Sequence, residues 1–302
     1  MADPQPEPVA PRSIVAALPR IEAIDEQGRS SDGYSALGDA ARRALAHPDP
    51  DTGCLLVDDL AFGCAWPTRP GTDDRHWEIS VTLAPPARVT GLRSVLVTGL
   101  LAHVSERGGG RVTWWVPGAS AATDADAAGA GLAPSRDLLR MEAPLPLAAA
   151  PDPPADVSLR AFIPGSDDAA WLALNNAAFA GHPEQGNWTE AIFVARCAEP
   201  WFDPELFVVA ESTGAIVGAN WVRRHPDGEA EIYVIAVDRS RRGTGLGRTL
   251  ALAGLAAAER SGSTRASLYC AADNAAARRL YSALGFTVVR IDRAYETEVA
   301  TR

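Results

Sequence analysis

A chain of 302 residues with a hydrophobic fraction of 47% is long enough for two globular domains of ordinary size. Its formal net charge of −10 argues against a nucleic-acid partner and is compatible with a cationic substrate. The N-terminus lacks the basic and apolar pattern of a secretory signal, and no apolar run reaches the roughly 18 residues of a membrane span. We therefore expect a cytoplasmic protein without a membrane partner.

The first half is predicted to begin with a disordered, Pro-rich lead over residues 1–13. A helix is expected over residues 31–46, because capping residues precede it and His47-Pro48 follows it. The remaining predicted elements are strands over 54–57, 60–66 and 77–83, a helix over 90–107, a strand over 111–116, a helix over 119–130 and a strand over 137–142.

Residues 143–156 are rich in proline and predict an extended linker. The second half then repeats the order of elements. It has strands over 157–162, 206–211, 215–223, 229–237, 264–270, 286–291 and 295–298, and helices over 166–179, 189–197, 246–260 and 275–284. Trp77–Leu83 and its helix match Glu231–Val237 and its helix, which predicts a tandem repeat of one α/β domain with a mixed sheet. We place the domains at 1–142 and 157–302.

The four cysteines, Cys54, Cys64, Cys197 and Cys270, lack the spacing of a metal site or a disulfide framework. We expect buried thiols in a reducing compartment, and no bound metal.

Three glycines at alternate positions, Gly243, Gly245 and Gly247, lie between a predicted strand and a predicted helix. The first N–H groups of a helix have no partner within the helix, and glycine lets a phosphate approach the backbone closely. Arginines flank these glycines, but the lysine of a P-loop is absent and the spacing does not fit a dinucleotide fingerprint. The pattern predicts a phosphate site, with an ordinary turn before a surface helix as the alternative.

The run Arg242-Gly-Thr-Gly-Leu-Gly247 resembles the pyrophosphate loop of the GCN5-related N-acetyltransferases. Residues 274–286, Asn-Ala-Ala-Ala-Arg-Arg-Leu-Tyr-Ser-Ala-Leu-Gly-Phe, are similar to a helix of the same family. The resemblance implies transfer of an acetyl group from acetyl-CoA to an amine. It also implies that acetyl-CoA is bound by Ile235, Ala236, Val237, Arg242, Gly243, Thr244, Gly245, Leu246, Gly247, Arg248, Asn274, Ala275, Ala276, Ala277, Arg278 and Arg279.

Residues 182–188, 199–204, 221–226, 231–238, 268–269 and 272–274 resemble the mycothiol synthases, tandem members of that family. Those enzymes acetylate the cysteinyl amine of cysteinyl-glucosaminyl-inositol, so the resemblance implies this small-molecule amine as substrate. It implies substrate binding by Asp39, Glu184, Arg223, Glu231 and Tyr269. The family usually has glutamate at the position of Asp39 and lysine at that of Arg223. A monomer is expected, because the two halves of one chain can replace the subunits of a dimer.

The chemistry of amine acetylation needs a base, since an ammonium ion is not a nucleophile. Glu231 at the start of the central strand fits this role, with a solvated surface glutamate as the alternative. The resemblance implies that Tyr281 is the acid for the departing thiolate, although Tyr281 and Tyr269 could equally be core residues. We expect direct attack in a ternary complex, without Cys270 as nucleophile. His182 and His225 show no nucleophile–base pattern in the sequence.

The first half carries one glycine, Gly91, where the second half has three. We therefore expect a degenerate domain that shapes the substrate site, and a second acetyl-CoA site at Val81, Thr82 and Leu83 is left open. Two other functions also remain open: acetylation of another small amine or a peptide N-terminus, and a non-catalytic acetyl-CoA sensor.

Overall fold

The computed structural model describes residues 6–68, 75–181 and 185–302. The chain forms two compact units, of which unit 1 comprises Met1–Leu138 with Arg290–Arg302 and unit 2 comprises Leu139–Val289. We expected residues 157–302 to form one domain, but residues 290–302, which include most of the C-terminal strand, belong to unit 1. That strand is counted with the first half of the chain.

Unit 1 is a mixed sheet covered by helices. Its elements are β1 (Glu7–Val9), α1 (Pro11–Asp32), α2 (Asp39–Ala46), β2 (Gly53–Val57), β3 (Ala61–Pro67), β4 (His76–Leu83), α3 (Leu92–Glu106), β5 (Gly110–Val116) and α4 (Ala121–Gly129). The strand order is β1-β2-β3-β4-β5, followed by the C-terminal part of β12 (Thr287–Val299). Among the described strands of this unit, β4 and β5 run parallel to each other, and the other neighbours are antiparallel.

The N-terminal segment corrects two sequence predictions. Residues 7–9 pair with β2, and a helix of 22 residues begins at Pro11, where a disordered lead was expected. Ile14, Ile21 and Ile24 are fully buried on one face of this helix. The helix predicted over 31–46 is two helices, because Gly33 ends α1 with a φ of 78° and α2 starts only at Asp39.

Unit 2 repeats this arrangement. Its elements are β7 (Ser158–Ala161), α5 (Asp168–Ala178), α6 (Glu190–Cys197), β8 (Phe207–Ser212), β9 (Ala215–Arg224), β10 (Glu229–Val237), α7 (Leu246–Arg260), β11 (Arg265–Ala271) and α8 (Ala275–Ala283). The strand order is β7-β8-β9-β10-β11, and β11 is followed by the part of β6 (Ala133–Pro144) that belongs to unit 2. Again one central pair, β10 and β11, is parallel. The shared strand order is that of a tandem repeat.

Two apolar layers enclose the sheet of unit 2. On one face, α7 and α8 pack side chains such as Leu252 and Tyr281 against Ile232 and Leu268. The other layer is an aromatic cluster formed by Trp171, Trp188, Phe193, Phe207 and Trp221. Trp188 is thus a core residue. None of the described helices is both long and apolar enough to cross a membrane.

Candidate active site

The two central strands of unit 2 separate halfway along their length. β10 and β11 are paired from Glu229 and Arg265 to Ile232 and Leu268, and both strands continue beyond this point. The pairing of β10 with β9 shifts register between Ile232 and Val234, as at a β-bulge. A gap therefore opens between β10 and β11 in the middle of the sheet.

Backbone donors of β10 face this gap. The N–H of Asp238 donates to the carbonyl of Val217 on β9, and backbone groups alternate in direction along a strand. The N–H groups of Ile235 and Val237 therefore point away from β9, toward the side where β11 is no longer paired. Two aligned donors at this position can hold a carbonyl oxygen.

The chain continues from β10 into the glycine loop. Gly243 and Gly245 have φ values of 80° and 90°, which side chains with a Cβ rarely adopt. Gly245 is the N-cap of α7 and supplies no side-chain acceptor, so the first N–H groups of the helix face outward without a side-chain cap. The loop is exposed, and these donors fit a pyrophosphate.

The arginines around the loop have different surroundings. Arg241 is committed to the protein, since it donates to Asp156 at 2.6 Å and to Ser212 at 3.0 Å. Arg242 is exposed, and its one hydrogen bond within the described part of the chain goes to the carbonyl of Ala178, at 3.2 Å. Arg248 lies in the first turn of α7 and is half-buried. Arg242 therefore has the guanidinium that is freest to meet an anion.

The second predicted cofactor segment starts α8. The side chain of Asn274 accepts a hydrogen bond from the N–H of Ala277 at 3.0 Å and so caps the helix. Arg278 donates to the carbonyl of Ala272 at 3.0 Å, and Arg279 is exposed. At least part of the Asn274 pattern is thus explained by helix capping.

Three of the predicted substrate residues lie together at the gap. Glu231 is opposite Arg223 of β9 and Ser267 of β11, so these side chains project from the same face of the sheet. Tyr269 projects from that face two residues further along β11, and it is 40% exposed. The guanidinium of Arg223 lies 5.0 Å from the centroid of the Trp201 ring.

A histidine that the sequence did not predict contacts Glu231. Nε2 of His225 lies 2.7 Å from Oε2 of Glu231. The two residues meet because residues 225–228 form the turn between β9 and β10, in which Gly228 donates to the carbonyl of His225. The Pro-Asp-Gly sequence after His225 is a turn signal, so the proximity could have been inferred from the sequence.

A second unpredicted group is Arg140 of β6. It binds both carboxylate oxygens of Glu229, at 2.8 and 2.7 Å, and donates to the hydroxyl of Tyr269 at 3.4 Å. Burial alone would raise the pKa of Glu229. Hydrogen bonding from Ser267 and the charge of Arg140 outweigh it, and they lower the pKa. Glu229 is therefore an ionised structural anchor behind the exposed Tyr269.

Tyr281 and Cys270 lie on the helix side of the sheet. Tyr281 is 5% exposed, its ring contacts Phe286 edge-on, and burial raises the pKa of its hydroxyl. Among the described residues, nothing forms a hydrogen bond with that hydroxyl. Burial also raises the pKa of the Cys270 thiol, so the thiolate that a nucleophile needs is disfavoured.

Two predicted substrate residues are not part of this group. Asp39 belongs to unit 1, where it is exposed at the first position of α2. Its helix is anchored through Asp25, which accepts hydrogen bonds from Leu37 N–H at 3.1 Å and from Arg42 at 2.6 Å. Glu184 lies outside the described residues.

Unit 1 contains a counterpart of the gap but not of the charged loop. β4 and β5 are paired only from His76 to Ile79 along β4, so the segment Val81–Leu83 lies beyond the paired part. The arginines that follow are neutralised. Arg88 binds both oxygens of Asp32 at 2.7 and 2.8 Å, and Arg93 binds Asp126 at 2.9 Å.

Comparison with known proteins identifies similar acetyltransferases. Residues 170–286 match the Acetyltransferase (GNAT) family. The mycothiol acetyltransferase of Thermobispora bispora is 41% identical over 288 residues, which cover 91% of this chain and 94% of that protein.

Solved structures match the full chain. A GCN5-related N-acetyltransferase from Sphaerobacter thermophilus has a TM-score of 0.77 at 22% identity, covering 98% of this chain and 96% of that one. A tandem GNAT protein from the clavulanic acid biosynthesis pathway has a TM-score of 0.70 at 17% identity, covering 99% of both chains. At these identities the likeness concerns the fold alone, and it confirms the predicted tandem acetyltransferase fold.

Proposed function

The chain belongs to the mycothiol acetyltransferase family, and we propose that it transfers the acetyl group of acetyl-CoA to the cysteinyl amine of cysteinyl-glucosaminyl-inositol. The observation that carries the proposal is the gap between β10 and β11, with donors on one strand, Glu231 on one face and Tyr281 on the other. The other predicted partners follow from the same assignment: one small-molecule amine, and a monomeric enzyme without a bound metal.

Glu231 removes the proton that makes the amine unreactive. Its side chain is 14% exposed, so it is accessible at the gap while its surroundings are partly desolvated. An anionic carboxylate here attracts the ammonium form and accepts a proton from it, directly or through water. Arg223 and Tyr269 on the same face bind the rest of the substrate. The roles of Asp39 and Glu184 stay what the family resemblance implies.

The N–H groups of Ile235 and Val237 orient the thioester and stabilise the charge that develops on its carbonyl oxygen. The loop from Arg242 to Arg248 holds the pyrophosphate with its backbone and with the Arg242 side chain. Residues 274–279 complete the cofactor site at the start of α8. When bound, acetyl-CoA supplies the activated acetyl group, and these residues fix its position.

Tyr281 donates its proton to the departing thiolate. A buried tyrosine with a raised pKa stays protonated at neutral pH, which an acid requires. Cys270 takes no covalent part, because its thiol is buried and its raised pKa disfavours the thiolate. The amine therefore attacks the thioester directly.

The test is thiol release from acetyl-CoA with the pseudodisaccharide amine as acceptor, beside a panel of aminoglycosides and short peptides. We expect release with the pseudodisaccharide alone, and Glu231→Gln should reduce kcat/KM by about 10²-fold or more while acetyl-CoA still binds. Release only with another amine would overturn the substrate assignment. Binding of acetyl-CoA without release on any acceptor would favour a sensor.

A further inference from the structure

We propose that His225 is a positioning residue for Glu231: its Nε2–H holds Oε2 of the carboxylate and leaves Oε1 directed to the amine. The inference rests on the proposed role of Glu231 as the base. It adds a residue from the turn between β9 and β10 to the chemistry at the gap.

The chemistry of the two groups determines which one donates. Nε2 of His225 and Oε2 of Glu231 are 2.7 Å apart, the separation of a charge-assisted hydrogen bond. An ionised carboxylate can only accept, so the proton of this bond lies on Nε2. The contact is the same for the imidazolium and for the neutral ring protonated at Nε2, so it does not depend on the charge of the histidine.

Two backbone hydrogen bonds of the turn hold the main chain of His225 in place. The N–H of His225 donates to the carbonyl of Glu229 at 2.8 Å, and Gly228 closes the turn on the carbonyl of His225 at 3.0 Å. Glu231 is two residues beyond Glu229 on the same face of β10. The ring therefore reaches Glu231 from a hydrogen-bonded hairpin and not from a free loop.

A second carboxylate is close but already has partners. Glu229 lies 4.0 Å from Nε2 of His225, yet its oxygens accept hydrogen bonds from Arg140, Ser267 and Arg265. The imidazole of His225 therefore forms its hydrogen bond with Glu231 and not with Glu229. The charged groups around the histidine are Glu229 and Glu231 of β10, Asp227 and Arg265 bonded to each other, Arg140 of β6 and Arg223 of β9.

One role follows for catalysis. A carboxylate with both oxygens free would rotate and would present either oxygen, or neither, to the amine. With Oε2 held, the orientation of Oε1 is set before the substrate binds, and no rotamer freedom has to be lost during the reaction.

The experiment compares His225→Phe and His225→Gln in the full-length enzyme by steady-state kinetics across pH. Phenylalanine keeps a ring but has no donor, whereas the amide of glutamine can replace Nε2. We expect His225→Phe to lower kcat/KM about 10- to 100-fold, the range for a hydrogen bond to a charged group, and His225→Gln to restore most of it. The pH profile of kcat/KM is compared between the two variants, because a change confined to the stability of the hairpin would leave its shape unaltered.

The double variant separates this inference from the proposed function. If His225 acts through Glu231, then Glu231→Gln with His225→Phe should be no slower than Glu231→Gln alone. Full activity of Glu231→Gln would overturn the proposed base. An inactive Glu231→Gln beside a His225→Phe that keeps wild-type kcat/KM and pH profile would overturn only the role of His225. Equal losses in the Phe and Gln variants would also overturn it, since the hairpin alone would then be responsible.

Discussion

Arg140 and Glu229 form an ion pair in which one guanidinium nitrogen donates to both carboxylate oxygens, at 2.8 and 2.7 Å. The glutamate side chain is only 6% exposed and that of the arginine 17% exposed. Removing one partner of such a pair leaves a buried charge without its main counterion.

Arg140→Met should therefore destabilise the protein by about 3 kcal/mol, measured by chemical denaturation at neutral pH. Since the pKa of Glu229 is lowered in the folded state, its contribution is present above the unfolded pKa and is lost as the pH falls through the folded one. In Arg140→Met, the loss of stability on acidification should begin at higher pH than in the wild-type protein. The exposed Arg260 provides the control, and Arg260→Met should change stability by less than about 0.5 kcal/mol. Equal stabilities for the two variants would contradict the prediction.

Gly245→Ala should raise the KM for acetyl-CoA by about tenfold or more. The φ of 90° costs a residue with a Cβ about 1–2 kcal/mol, and relief of that strain would move the N–H groups at the start of α7. Gly262, which has a φ of 93° just after the other end of α7, is the matched control. Gly262→Ala should lose similar stability without a change in KM, whereas a parallel rise in KM would show that strain in the helix is responsible.

Tyr281→Phe should lower kcat by about 10²-fold with little change in thermal stability, because the hydroxyl has no hydrogen-bond partner among the described residues. Its pKa is raised, so the acid form persists as the pH increases, and no alkaline loss of activity due to Tyr281 should occur below about pH 10.

The matched control for Tyr281 is another buried tyrosine, Tyr295 of unit 1. Its hydroxyl donates to Asp124 at 2.6 Å. Tyr295→Phe should lose stability and keep kcat, the reverse of Tyr281→Phe. A Tyr281→Phe variant with normal kcat would assign Tyr281 to packing alone.

Cys270→Ser should keep most of the activity. Burial raises the pKa of the thiol, and its hydrogen-bond contact is with the carbonyl of Ala271, at 3.5 Å, and not with a base. The measurement is kcat under saturating acetyl-CoA. A loss of about 10³-fold, with trapping of an acetylated cysteine by mass spectrometry, would overturn direct attack.

Titration calorimetry should find one tight acetyl-CoA site per chain, and Gly245→Ala should weaken binding there by about tenfold or more. In unit 1, Asp126 binds both Arg93 and Ser94 in the first turn of α3, where a pyrophosphate would have to compete with it. Asp126→Asn should therefore strengthen any weak binding near Val81–Leu83. Two equivalent sites in the wild-type protein would show that the carboxylate does not block unit 1.

The elements that carry the candidate site could be predicted because their signals are local. The strand over residues 229–237, the glycines and the helix that follows are adjacent in sequence, and each needs only its own residue types to form. The contact of His225 with Glu231 was missed, although a six-residue separation across a turn brought it within reach. Arg140 is almost 90 residues from Glu229, and no periodicity indicates such a pair.

The N-terminal segment and the C-terminal strand were missed for different reasons. Prolines at 11 and 19 obscured α1, although Pro11 stands at the first helical position, where it is tolerated. For residues 287–299 the alternation identified strands but not their partner, because alternation defines a face and not a neighbour. The pairing of this strand with β5 is determined by tertiary contacts and not by the local sequence.

That pairing has a consequence for the order in which the protein can mature on the ribosome. Seven residues of β5, from Gly110 to Val116, are matched by residues 293–299, and the Trp114 and Tyr295 rings lie 5.5 Å apart. While the remainder of the chain is being translated, the edge of β5 has no strand beside it, and its apolar side chains are available to other chains. Unit 1 is therefore encoded first and completed last, and a message cut short before codon 290 would leave it with an open, aggregation-prone edge.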